Sequence, residues 1–564
     1  MTAPEMAPFL VFYAAAPLAL LLPPRLRGVL LLLVPVAGGL SLLGLPMGWT
    51  WQGELAGYDL TPVRMDELSR LFGYLFHIAA FVGMLYAWHL RDPLQQTAAL
   101  LYAGSAVGAV FAGDLLTLFL FWEMLSLTSV FLIWARRTPE ARRAGLRYLQ
   151  FSVVSGVLLL TGVLLRVHAT GSLAFGEIGL GAPGGWALFL AFGIKTGFPL
   201  LHNWLTDSYP EATPTGTVFL SAFTTKCAIY ALARGFPGTE ALIYIGAVMT
   251  CFPIFYAVIE NDLRRVLAYS MINQLGFMVT GVGLGTALAL NGAVAHAFND
   301  VIFKGLLFMA MGAVLERTGR INGSDLGGLY KTMPKTAALC IVGAASISAF
   351  PLFSGFVSKS LVMSAALHEG YIGVWLALLF ASAGVFHHAG IKIPFFAFFA
   401  HDSGLRPAEA PGNMLAAMTL AAALCIGIGV YPWWLYDLLP WEVGYDPFTA
   451  GHVLAQIQLL FFSALAFTWL KLSGLYPPEL PSVNLDAEWA YRKALPRAAS
   501  ALADSAGALA ARGSGLLGRR FRPAVETLAH HHGPQGVLAR AWPAGSMVLW
   551  VAILLVVYLM VYYV

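Results

Sequence analysis

The chain has 564 residues, of which 59% are hydrophobic and only 11% charged, and its mean hydropathy is +0.73. A soluble protein of this size carries about twice that charged fraction, so a soluble enzyme is excluded and an all-α polytopic membrane protein is expected. The net charge of +4, with no strongly basic domain, excludes nucleic acid as a partner.

Apolar runs of roughly 20 residues, each enough for a hydrocarbon core of about 30 Å, predict about sixteen spans. They lie near 7–22, 28–46, 68–88, 95–113, 115–135, 145–166, 184–208, 212–233, 239–259, 263–284, 287–314, 335–367, 371–397, 412–436, 450–474 and 545–563. Glu5, and the lack of a basic residue before the first run, argue against a cleaved signal peptide. Arginines and lysines fall in alternate loops: Arg25 and Arg27, Arg91, Arg136 to Arg143, Arg264 and Arg265, Arg317 to Lys335, then Arg406. The positive-inside rule places those loops in the cytoplasm and both termini outside. Cys227, Cys251, Cys340 and Cys425 lie in apolar segments without metal-ligand spacing, which predicts buried free thiols.

Residues 477–543 differ from the rest. Pro, Ala, Gly and Arg dominate, and Arg492, Lys493, Arg497, Arg512, Arg519, Arg520, Arg522 and Arg540 face few acids. A helix along the cytoplasmic surface is expected, suited to anionic lipid or a partner subunit. Gly513, Gly515, Gly518 and Pro523 are expected to interrupt it. An anchoring span follows.

Ionisable residues inside spans carry the functional reading, because each is costly at membrane depth. Glu123 lies mid-span in LFLFWEMLSL with nothing nearby in its own span to neutralise it. The stretch 192–226 holds Lys195 and Lys226, punctuated by Gly193, Gly197, Pro199, Pro210 and Pro214. Counted from the turn near Tyr209, the two lysines lie at similar depth on antiparallel helices, a placement suited to passing protons. His296, Asp300 and Lys304 in HAFNDVIFK are spaced four and four, so they share one helix face. A proton wire is the preferred reading there, against a purely structural Asp–Lys pair. Pro351 and Gly355 break the twelfth span, and Lys359 follows. Two interrupted spans, each with a lysine, are the pattern of duplicated halves around an ion path. His387, His388 and Lys392 either extend that path or, for Lys392, snorkel to the interface. Asp207, Glu211 and Asp300 supply oxygens but form no evident cation cage, and no metal is expected.

At FWEMLSL, GIKTGFPLLHNWLTDSYPEATPT, TTKCAIYALAR, DLRRVLAYSMINQLGFM, HAFNDVIFKGLLF and PLFSGFVSK the chain resembles the antiporter-like proton-channel superfamily. That superfamily includes the three large membrane-arm subunits of respiratory complex I and the A-type and D-type subunits of Mrp-type cation/proton antiporters. The resemblance covers roughly residues 65 to 400. It implies fourteen core helices with two inverted five-helix repeats and broken helices seven and twelve. The segments become N-terminal spans 1–94, repeats 95–233 and 234–400, C-terminal spans 401–476, a surface segment 477–543 and an anchor 544–564. It implies that Glu123 pairs with Lys195, that Lys226 passes the proton onward, and that His296, Asp300, Lys304 and Lys359 belong to the same relay. The surface helix and last span resemble the extension of the largest complex I antiporter-like subunit. The HxxxDxxxK row and TTKCAIYAL look more like the D-type branch of the Mrp antiporters.

The resemblance implies a subunit of a hetero-oligomeric Na⁺/H⁺ antiporter in a bacterial inner membrane, with protons, Na⁺, lipid and other membrane subunits as partners. The alternatives are a proton-pumping subunit of a redox-driven complex, such as complex I or a membrane-bound hydrogenase, and an energy-coupling subunit for inorganic-carbon uptake. No dinucleotide fingerprint or iron–sulfur cysteine spacing occurs, so no cofactor is expected and the chain is expected to be an ion transporter subunit, not a redox enzyme.

Overall fold

The computed structural model describes residues 6–55, 57–481, 484–540 and 543–563. Glu5, Val564 and the side chain of Arg520 lie outside the described set. The chain divides into two compact bodies, Met1–Asp486 and Ala487–Val564.

The first body opens with α1 (Leu10–Leu21) and α2 (Pro24–Gly44). An antiparallel hairpin follows, β1 (Thr50–Leu55) and β2 (Tyr58–Arg64), where the sequence predicts only a loop. Strand-favouring Thr50, Trp51, Tyr58, Thr61 and Val63 account for it, with Gly57 at φ +80° in the turn. Next come α3 (Glu67–Tyr86), α4 (Pro93–Phe111), α5 (Leu115–Trp134), α6 (Pro139–Thr170), α7 (Gly185–Thr196), α8 (Asn203–Ser208), α9 (Pro214–Ala222) and α10 (Thr224–Gly235). Then follow α11 (Glu240–Ile259), α12 (Leu263–Leu284), α13 (Ala287–Thr318), α14 (Pro334–Ile347), α15 (Ser354–His368) and α16 (Ile372–Val385). The last of these widens into π-helix at Phe386–Lys392 and Phe395–Phe399. The body closes with α17 (Gly412–Val430), α18 (Trp433–Tyr436) and α19 (Ala450–Leu472).

All sixteen expected spans fall on helix, and twelve helices among the described residues are long and apolar enough to cross a membrane. The other four are the 12-residue α1, the Gln95- and Gln96-bearing α4, and the two interrupted helices α7–α8 and α14–α15. Helix α12, helix α13 and the pair α9–α10 form the centre, buried along nearly their whole length. Outer helices turn Leu40, Val157, Phe255, Phe380 and Phe461 outward, as lipid-facing surfaces do.

Two stretches of the chain share several features. Asp114 caps α5 and bridges to Ala174 just after α6; Asp262 caps α12 and bridges to Asn322 just after α13. Helices α6 and α13 are both 32 residues long, and both end at a left-handed glycine, Gly171 and Gly319. A broken helix follows each, and the tripeptide Phe-Pro-Leu stands in both breaks. Leu200 has φ +70° and Leu352 φ +72°. Each break closes a tight turn, Leu201 N–H to Phe198 O at 2.8 Å and Phe353 N–H to Phe350 O at 3.1 Å. Proline before a positive-φ residue is the type II turn arrangement, usually filled by glycine at the second place. The helix after each broken one is irregular too, at Phe223 between α9 and α10 and at the π-helix after α16.

Arg264 counts among the orientation-setting residues of the sequence, but it is buried. It donates to the carbonyls of Pro210, Ala212, Thr213 and Tyr209 at 3.0 to 3.3 Å and to the Thr217 hydroxyl. It thus satisfies the carbonyls left free where α8 ends and α9 begins. At the opposite end Asp66 caps α3 and pairs with Arg234 at 2.8 Å and Arg64 at 3.3 Å. Burial alone pushes the Asp66 carboxyl up, but the Arg234 guanidinium, the Ser69 N–H and Arg64 hold it below the ordinary carboxylate range.

The second body contains α20 (Leu495–His532), preceded by a π-helical turn at Ala490–Ala494, and α21 (Ala544–Tyr563). Helix α20 runs unbroken for 38 residues through Gly513, Gly515, Gly518 and Pro523, against the expected interruption. Apolar side chains recur at spacings of seven, four and three (Leu502 and Leu509; Phe521, Val525 and Leu528), so amphipathic periodicity prevails over the local breakers.

Candidate functional site

Three of the seven candidate residues, the lysines Lys195, Lys226 and Lys359, lie beside helix irregularities. Backbone carbonyls there are free to accept from ammonium groups. Lys195 occupies the last turn of α7, where the helix dipole favours a cation. Its Nζ donates to Trp122 O and Ser126 Oγ, both at 2.7 Å, and lies 4.7 Å from the Trp122 ring centroid. Glu123, one residue along α5, is half-buried and packs over Gly156 of α6. Its charge partner is Lys195, felt without a direct ion pair among the described residues. A Cβ on Gly156 would lie 2.7 Å from the Glu123 Cδ, so the glycine makes the niche for the carboxylate.

Lys226 stands in the first turn of α10, just past the irregularity at Phe223. It does not turn to Lys195. Its Nζ pairs with Asp300 Oδ2 of α13 at 2.6 Å and donates to Ser221 O at 3.1 Å. Both charged side chains are 0% exposed. The intrahelical Asp300–Lys304 pair suggested by i, i+4 spacing gives way to this contact between helices. Lys304 instead donates to Ser270 Oγ of α12 at 2.8 Å.

One turn before Asp300, His296 is fully buried between Ser358 and Gln274. Its Nδ1 lies 3.0 Å from Ser358 Oγ and its Nε2 lies 3.2 Å from Gln274 Oε1. Gln274 donates through Nε2 to Asn273 Oδ1 at 2.5 Å, which aims its oxygen at the imidazole. With Gln274 Oε1 facing it, Nε2 is placed as the donor position of the ring, and Nδ1 faces the Ser358 hydroxyl. Lys359, on α15 beyond the second break, donates to Ile347 O at 2.7 Å. Ile347 is the last residue of α14, so this lysine caps the half-helix ahead of it. In the first break the lysine comes three residues before Phe-Pro-Leu. In the second, that position is Ile347, and its carbonyl holds the lysine.

The carboxylates weighed as cation ligands have other partners. Asp207 pairs with Arg147, Glu211 with Arg136 at 3.2 Å, and Asp300 with Lys226. Among the described residues no group of three His, Cys, Asp or Glu side chains has metal-site geometry. Sequence reasoning missed the polar partners Ser126, Ser270, Gln274 and Ser358, and the capping role of Arg264. Small polar residues in otherwise apolar spans were the available signal. It also missed Glu260, Glu479 and Asp486, three buried carboxylates near the helix ends that carry Arg264.

A polytopic bundle with two interrupted helices and a buried row of lysine, histidine and carboxylate defines an antiporter-like membrane subunit. Residues 112–387, just under half of the chain, match the family described as NADH:quinone oxidoreductase/Mrp antiporter, transmembrane region. Hydrogenase-4 component B of Escherichia coli K12 is 28% identical over 479 residues, 75% of this chain and 71% of that protein. The D-type subunit of the Na(+)/H(+) antiporter of Alkalihalophilus pseudofirmus OF4 is 33% identical over 308 residues, 50% of this chain and 62% of that one. A chain of the membrane-bound sulfane sulfur reductase, an archaeal respiratory membrane complex, shares the fold. Its TM-score is 0.71 at 22% identity, covering 99% of this chain and 100% of that chain.

Proposed function

We propose that this chain is the proton-translocating subunit of a multisubunit monovalent cation (Na⁺)/H⁺ antiporter in a bacterial inner membrane. The observation that carries the reading is the Lys226–Asp300 pair, an ammonium and a carboxylate 2.6 Å apart and fully buried at the centre of the bundle. Burying two charges costs several kcal/mol per ion, and such pairs inside membranes mark ion and proton paths. Glu123 and Lys195 lie on one side of this pair in the chain, and His296, Lys304 and Lys359 continue it. Each lysine holds its proton through carbonyls, hydroxyls or Asp300, and gives it up when a proton arrives beside it. His296 passes a proton through Nε2 and Nδ1 by turning the Ser358 hydroxyl. The recurring breaks and caps support two inverted five-helix repeats within sixteen spans. In this reading the end bearing Arg136, Arg143 and Arg265 faces the cytoplasm and both termini lie outside.

The match to hydrogenase-4 component B covers more of the chain than the match to the Na(+)/H(+) antiporter does. It favours a second reading, a proton-pumping subunit of a redox-driven complex whose redox centres lie on other chains.

One experiment separates them. Everted vesicles from cells expressing the whole gene cluster are given a pH gradient, followed by a fluorescent dye, and NaCl is added. Dequenching that needs Na⁺ and is lost in Lys226→Ala supports antiport. Silence towards Na⁺ and K⁺, with Lys226-dependent pumping on a redox donor, supports the second reading. Wild-type transport in Lys226→Ala refutes both.

A further inference from the structure

Three titratable side chains outside the row above lead from its middle to the arginine-bearing end of the bundle. His388 and Lys392 sit four residues apart in the π-helix that follows α16, and both are fully buried. Wide π-turns are uncommon and concentrate at functional sites. Among the described residues His388 Nε2 has no hydrogen-bond partner, and the charged groups acting on its ring include Lys304 and Lys392. Lys392 is no snorkelling residue. Its Nζ donates to Val258 O at 2.7 Å and Glu260 O at 2.6 Å and pairs with Glu479 at 3.0 Å. Glu479 belongs to the segment after α19 that folds back over this end. Tyr476 of that segment stacks on His387, with centroids 5.5 Å apart.

The placement is that of a branch. Lys304 lies 14 residues before Thr318, the end of α13, or about 21 Å of helix from that end. The π-helix runs in the same sense toward residues 395–399, and Glu479 closes over it. Lys392 also stands on the fifth helix of its repeat, as Lys226 does in the first, and each follows or occupies that helix's irregularity.

We propose that His388, Lys392 and Glu479 form a proton branch joining Lys304 to the arginine-bearing end, with Glu479 as the group that exchanges protons with bulk water. The inference rests on the proton-relay reading above and adds a path to it. A proton taken up by Glu479 passes to Lys392 as Lys392 releases one to His388, and His388 hands it to Lys304. Each transfer breaks one O–H or N–H bond and forms one, with no other reactant. Burial pushes the Glu479 carboxyl above the usual range, while Lys392 and Lys471 pull it down and Glu260 pushes it up. Arg265 approaches Glu260 at 4.0 Å, and Tyr476, stacked on His387, feels the Glu479 charge. A carboxyl so raised exchanges protons closer to neutrality than a free one.

The test uses everted vesicles carrying the whole complex, with Lys226→Ala as reference. Flux that survives Lys226→Ala refutes the relay reading itself. Where flux depends on Lys226, His388→Gln and the double variant Lys392→Met/Glu479→Gln are compared with wild type from roughly pH 6 to 9. The double variant removes both buried charges, so it leaves no lone buried charge to oppose assembly. His388→Gln changes no charge and decides the matter if the double variant fails to assemble. The expected result is a loss of about tenfold or more in both, with Glu479→Asp retaining flux on a displaced pH profile. Wild-type rate and pH profile in assembled His388→Gln complexes overturn the branch and leave the central relay standing.

Discussion

Replacing one member of the Lys226–Asp300 pair is the sharpest perturbation the molecule allows. At 2.6 Å, with an effective dielectric of about 20, their attraction is about 6 kcal/mol. Desolvation of two fully buried ions offsets most of it, so the intact pair adds little net stability. Asp300→Asn or Lys226→Met alone leaves one uncompensated charge at the centre of the bundle, a loss of about 3–5 kcal/mol. Lys226→Met/Asp300→Asn removes both charges and is expected to recover nearly all of that loss. Transport behaves otherwise. Both single variants and the double variant lack a relay group and are expected to be inactive. The assay is a double-mutant cycle on the purified complex, with melting temperature in detergent beside vesicle transport. Coupled recovery of stability without recovery of transport fits the reasoning. Wild-type stability and transport in Asp300→Asn would refute it, because neither the buried pair nor its role in proton passage would survive that result.

Three further outcomes are expected. Gly156→Leu expels the Glu123 carboxylate from its niche and lowers Lys226-dependent flux about tenfold or more while the complex still assembles, as native gel and vesicle assays would report. Arg264→Met strands four carbonyls at the α8–α9 junction. Each orphaned group costs about 1–3 kcal/mol, so folded yield should collapse. Wild-type yield would show that these carbonyls find other partners. Asp66 is held ionised by Arg234 and Arg64, so its contribution is present above the ordinary carboxylate pKa of about 3.9 and is lost as pH falls through the lower folded value. Asp66→Asn is expected to lower stability at neutral pH and to flatten the acid limb of a stability–pH curve below about pH 4.

Much of the architecture was legible because the bilayer restricts the choices. Apolar length locates helices, and Gly197, Pro199 and Pro351 locate the two breaks. The hairpin 50–64 was not legible, since its strands are short and irregular and sit in a polar connection between two spans. The continuity of α20 was not legible either. Pro523 and three glycines read as stops one residue at a time, whereas the helix answers to spacing summed over 38 residues.

The site was legible in its members and not in its pairing. Helical periodicity puts His296, Asp300 and Lys304 on one face, and that much needs only the spacing of residues along one stretch of sequence. It cannot say which neighbouring helix presents the partner. Asp300 has Lys304 one turn away, yet Lys226, in the first turn of α10 just past the irregularity at Phe223, reaches it at 2.6 Å. The same holds for Lys392, whose partner Glu479 is 87 positions further along the chain and outside any span. A carboxylate in a polar connection looks solvated in sequence. The segment after α19 folds back and buries it against Lys392, and burial raises its carboxyl above the usual range.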